Sequence, residues 1–79
     1  MNSDSVKILL EDKLAGCQIE VEVNGSHYNL TVIGNIFEGK RPVQRQQLVY
    51  SALQDQIAAG DIHAVNMKTY TPQEWQQLP

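Results

Sequence analysis

A chain of 79 residues, 42% hydrophobic and 19% charged, has material for one small core, since a domain of this size buries only about 60% of its unfolded surface. The balance excludes a disordered chain, and no apolar run approaches the ~20 residues of a membrane span. A net charge of −3 excludes a basic field over the whole surface, so any nucleic-acid footprint must be local.

The first expected element is an amphipathic helix over residues 4 to 15. Val6, Leu9, Leu10 and Leu14 recur at helical spacing, Asn2, Ser3 and Asp4 are available as caps, and Gly16 stands where helices stop. From Cys17 the period changes to two. Cys17, Ile19, Val21 and Val23 alternate with polar residues, Asn24-Gly25 offers the positive-φ pair of a tight turn, and Tyr28, Leu30 and Val32 resume the alternation. This predicts an antiparallel hairpin with one wet and one buried face.

Gly34 to Lys40 reads as a loop, and Pro42 suits the first turn of a helix whose stripe runs Val49, Ala52, Leu53, Ile57 before Gly60. A kink or split of the segment is expected near 43 to 47. A third strand is predicted over 62 to 69, and Thr71-Pro72-Gln73-Glu74 is a capping box that opens a final turn carrying Trp75. The order α-β-β-α-β-α predicts a single domain over 1–79, of α+β class, with a three-stranded mixed sheet and helices on one face. The second and third strands should be parallel, because a helical segment joins them. Parallel strands start at the same end, so His27 and His63, the two histidines, should approach one another there.

Phe37-Glu38-Gly39-Lys40, Arg45-Gln46-Gln47-Leu48-Val49-Tyr50, Ile62-His63-Ala64-Val65, Lys68-Thr69-Tyr70-Thr71-Pro72 and Glu74-Trp75, in this order, resemble the BolA family and most closely its IbaG-like branch. The resemblance spans nearly the whole chain. It implies a type II KH-like fold and a binding protein that partners a monothiol glutaredoxin, with its glutathione, around a shared [2Fe-2S] cluster. The family's C-terminal histidine falls on His63, and its variable ligand in the loop between the first two strands falls on His27. Members are also described as DNA-binding transcriptional regulators. Where many members carry Arg-His-Arg, this chain has Arg45-Gln46-Gln47, so no role of that additional histidine transfers.

The residues themselves set limits on these expectations. A lone strand histidine is more often a satisfied structural group than a ligand, and His27 also reads as an exposed turn residue. Two histidines and Cys17 cannot complete a four-ligand cage, so cluster chemistry requires thiolates from a partner. Imidazole ligation suits a labile site, being sensitive to pH. Cys17, alternating with Ile19 and Val21, reads as a core filler. As the one cysteine it cannot form an internal disulfide, which points to a reducing, cytoplasmic setting.

Gly34-Asn35-Ile36-Phe37-Glu38-Gly39-Lys40 matches G-x-x-x-x-G-K, but Arg41 stands where a magnesium-binding hydroxyl is required and Glu38 would face phosphate. Nucleotide hydrolysis is therefore rejected. Lys40, Arg41 and Arg45 form a basic group at a helix start, either a solvated face or a phosphate contact. Charge favours that half of the chain: residues 1 to 39 hold six acids against Lys7 and Lys13, and residues 40 to 79 hold three against Lys40, Arg41, Arg45 and Lys68. No nucleophile and base stand in a recognisable order, so an enzyme is not expected. Alone, the chain is expected to be a monomer or a weak homodimer.

Overall fold

The computed structural model describes residues 2 to 78. The elements are α1 (Ser3–Lys13), β1 (Gln18–Asn24), β2 (His27–Ile33), a 3₁₀ turn (Asn35–Phe37), α2 (Pro42–Ala52), α3 (Gln54–Ala58), β3 (Ala64–Tyr70) and α4 (Pro72–Gln76). β2 is central, antiparallel to β1 and parallel to β3. The expected mixed sheet is therefore present, and its strand order follows from the hairpin and the helical crossover.

The hairpin turn lies one residue later than expected. Asn24 and His27 are the closing pair of the ladder, so the turn residues are Gly25 and Ser26, and among the described residues none other than glycine has positive φ. Gly25, at φ +64°, takes the first central position of the turn, where a side chain would be strained. His27 is accordingly the first residue of β2 and not a turn residue.

One face of the sheet is covered by helices. Ile19 of β1 and Tyr28, Leu30 and Val32 of β2 enter a core with Val6, Leu10 and Leu14 of α1, Val49 of α2, and Leu53 and Ile62 from connecting positions. Phe37, which the sequence left in a loop, is fully buried because the 3₁₀ turn folds it under the sheet's end. The opposite face is polar, as period two requires, with Glu20, Glu22, Asn66 and Lys68 exposed. Val23, expected on the buried face, is 37% exposed, because it lies near the hairpin tip beyond the cover of α1.

The helical crossover departs from the sequence reading in two respects. No kink falls within 43 to 47: Pro42 starts the helix without wasting a donor, and Gln44 Oε1 accepts from the Arg41 N–H at 2.9 Å, so the first turn is regular. The break comes instead at Leu53, whose N–H bonds back three residues to the Tyr50 carbonyl, a tightening that turns α3 away from α2. Leu53 is thereby held in the core, whereas Ile57, expected on the same stripe, is 38% exposed. β3 also begins two residues later than expected, leaving Ile62 buried and His63 exposed, both ahead of the strand.

Gly34, just past β2, shows a close approach that any side chain would disturb. A Cβ built there would overlap Cys17 Sγ, because Cys17 precedes β1 directly opposite. Cys17 is half-buried against the core and its thiol is pushed up by that burial. Both observations agree with its reading as a filler.

Candidate functional site

The sheet register sets both histidines at one end of the sheet. His27 is the Cα partner of both Asn24 and Ala64, and His63 directly precedes Ala64, so the two residues stand on neighbouring strands ~5 Å apart, offset by one position. Both are exposed. By the alternation of β2, His27 shares the open face of the sheet with Asn29 and Thr31. His63 leaves the helical crossover just after Gly60, with its ring edge 3.8 Å from where a Cβ on Gly60 would project.

This histidine end has no third ligand nearby. No group of three or more histidine, cysteine, aspartate or glutamate residues able to hold a metal occurs among the described residues. Cys17 precedes Gln18, which pairs with Ile33 at the opposite end of the sheet from the Asn24–His27 pair. Six residues of strand separate those ends, roughly 20 Å. The chain thus offers two exposed imidazoles at one end of the sheet, fewer donors than a complete metal site needs.

The basic group divides on inspection. Lys40 and Arg41 are exposed, although the Lys40 ammonium also donates to the Ile36 carbonyl at 2.9 Å and so closes its own loop. Arg45, which the sequence left beside them as either a solvated residue or a phosphate contact, is engaged by the protein itself. Its Nε donates to the Lys40 carbonyl at 2.9 Å, Nη1 to the Thr69 carbonyl at 3.4 Å and to Glu74 Oε1 at 2.7 Å, and Nη2 to Glu74 Oε2 at 3.2 Å. The guanidinium carbon lies 5.8 Å from the centre of the Phe37 ring, within cation–π range.

Glu74 has a second task in the same knot. Thr71 Oγ1 accepts from the Glu74 N–H at 3.1 Å and Glu74 Oε1 accepts from the Thr71 N–H at 2.9 Å, completing the expected capping box of α4. The hydrogen bond from Arg45, reinforced by that from the Thr71 N–H, holds the Glu74 carboxyl down at about 2. Sequence reasoning missed the pairing of Arg45 with Glu74, yet a signal was present: Arg45, Val49 and Leu53 stand four residues apart, so Arg45 lies on the core-facing stripe of the helix. Trp75 packs on Tyr70, ring centres 5.3 Å apart at 53°, while remaining 36% exposed.

The elements form a small α+β fold with a three-stranded mixed sheet and helices on one face. The model of the BolA family, described as "BolA-like protein", matches residues 4–74, and the chain belongs to that family. It is 37% identical over 75 residues to the acid stress protein IbaG of Escherichia coli (strain K12), spanning 95% of this chain and 89% of that protein. It is 49% identical over 53 residues to the DNA-binding transcriptional regulator BolA of Vibrio cholerae, covering 67% of this chain and 49% of that protein. Among solved structures, a BolA protein homologue from Coxiella burnetii superposes with a TM-score of 0.86 at 33% identity, covering 98% of this chain and 99% of that one.

Proposed function

We propose that this chain is an adaptor that lends His63, with His27 beside it, to a [2Fe-2S] cluster whose thiolates belong to a monothiol glutaredoxin and its glutathione. The observation that carries the reading is the parallel register of β2 and β3, which sets two exposed imidazoles at one end of the sheet. The donor set fits: neutral imidazoles are borderline ligands for iron, and two of them leave the cluster dependent on sulfur from elsewhere. A bound cluster supplies redox and transfer chemistry. The chain's own residues present the ring nitrogens and, because a protonated imidazole cannot ligate, make retention sensitive to pH.

Anaerobic reconstitution with a monothiol glutaredoxin and glutathione tests this reading. A heterodimer with a visible spectrum different from that of the glutaredoxin alone is expected, and His63→Ala should alter that spectrum while leaving the far-UV circular dichroism unchanged. A spectrum indifferent to both His63→Ala and His27→Ala would overturn it.

A second reading, regulation through duplex DNA, is favoured by the name of the Vibrio cholerae relative and by the exposed Lys40 and Arg41 at the start of α2. On this reading Lys40→Ala and Arg41→Ala weaken binding in a salt-dependent manner. Arg45→Ala is a poor probe of it, since that guanidinium is tied into the fold.

A further inference from the structure

β3 has one neighbour in the sheet and therefore one free edge. The direction of its backbone groups follows from two contacts. The Tyr70 carbonyl accepts from the Gly34 N–H, on the β2 side, at 2.9 Å, whereas the Thr69 carbonyl accepts from Arg45 Nη1. Because peptide groups alternate sides along a strand, Ala64, Asn66, Lys68 and Tyr70 face β2, and Val65, Met67 and Thr69 face outward.

At Thr69 the Arg45–Glu74 pair occupies the edge. No partner is found among the described residues for the outward N–H and C=O groups of Val65 and Met67. Natural sheets blunt such edges with proline, bulges or charge, and Ala64 to Met67 carries no proline and no charged residue. The other edge strand, β1, carries the exposed acids Glu20 and Glu22, the charge that blunts an edge.

We propose that this free edge pairs with the same edge of a second copy of the chain, antiparallel about a two-fold axis at Asn66. In that register Val65 exchanges both of its backbone hydrogen bonds with Met67 of the partner copy, and Met67 with Val65, so the free groups satisfy one another. An axis at Met67 sets the Thr69 carbonyl, which Arg45 already occupies, within the ladder opposite Val65, and an axis at Lys68 sets two ammonium groups face to face; in the Asn66 register Thr69 falls opposite position 63, ahead of β3, where the ladder ends. The axis at Asn66 places Lys68 opposite the neutral Ala64, and the acids Glu20 and Glu22 sit two strands away on β1. This is an isologous junction that joins the two sheets into one of six strands. Edge pairing of this extent falls below the area of stable interfaces, so the dimer is weak and reversible. The pairing requires no metal, and the test is made on metal-free protein.

Sedimentation velocity and amide hydrogen exchange across the micromolar to millimolar range test it. Reversible dimerisation is expected, with concentration-dependent protection at the Val65 and Met67 amides and none at Val21. Ala64→Lys, which faces Lys68 of the partner copy twice per dimer, should weaken association about tenfold, and Ala64→Lys with Lys68→Glu should restore it. Asn66→Lys, on the exposed face at the axis, should weaken it as well, so a failure of the first variant to fold leaves the second to decide. A monomer up to millimolar concentration, a dimer without protection at Val65 and Met67, or an edge that takes up a foreign extended peptide but never a second copy each overturns the proposal.

Discussion

Arg45 and Glu74 meet in a two-pronged contact, Nη1 to Oε1 at 2.7 Å and Nη2 to Oε2 at 3.2 Å, and the same carboxylate closes the cap of α4. One ion pair thereby joins the start of α2, the end of β3 and the last helix.

That pair gives folding stability a definite acid dependence. The Glu74 carboxyl is held at about 2, below its ordinary 4.5, chiefly by Arg45. A depressed carboxyl stabilises the fold fully above its unfolded pKa and loses that contribution as pH falls through the folded one. The difference in Tm between the native chain and Glu74→Gln should be largest near neutrality, shrink below pH about 4.5 and vanish only below pH about 2. A difference independent of pH would show that the carboxylate's charge contributes nothing.

Arg45→Ala should lower stability by about 1–2 kcal/mol, the lower part of the range for hydrogen bonds to charged groups because Glu74 is partly exposed. Lys40→Ala and Arg41→Ala, at exposed positions, should each change it by about 0.5 kcal/mol or less. Urea denaturation of the three variants separates the structural arginine from its two neighbours.

Gly34→Ala forces a methyl group into the space of Cys17 Sγ, and overpacking of this kind costs about 1–3 kcal/mol. Cys17→Ala in the same chain should recover most of the loss. A double-mutant cycle measures the coupling, and additive effects would place the strain elsewhere.

The break at Leu53 predicts an asymmetry within one helical stripe. Leu53→Ala should cost about 2–5 kcal/mol, as for other buried leucines, while Ile57→Gln, at a residue 38% exposed, should cost less than about 1 kcal/mol. Equal losses would mean that α3 packs more tightly than its exposure indicates.

The strands, the hairpin and the parallel crossover were legible in the sequence because period two and the helical joint leave few alternatives. Ile19, Leu30 and Val32 are buried as the alternation requires. Boundaries were not legible to the residue: the turn at Gly25-Ser26 depends on which pair closes the ladder, and the apolar Ile62 contributes to the core without joining β3. The placement of both histidines at one end of the sheet followed from topology. The role of Arg45 did not, since its partner Glu74 lies 29 positions away and charge alone suggested a surface. Val23 and Ile57 share the same cause: an apolar residue at the right spacing stays exposed where no neighbouring element reaches it.

The parallel joining of β2 and β3 has a further consequence, for the order of events as the chain is made. His27 stands on the early hairpin, and His63 takes its place beside it only after the whole crossover has closed into β3. Closing so long a loop comes late in folding. A nascent chain emerging through Gly60 therefore exposes one imidazole without its neighbour, and the pair is acquired only on completion of the sheet.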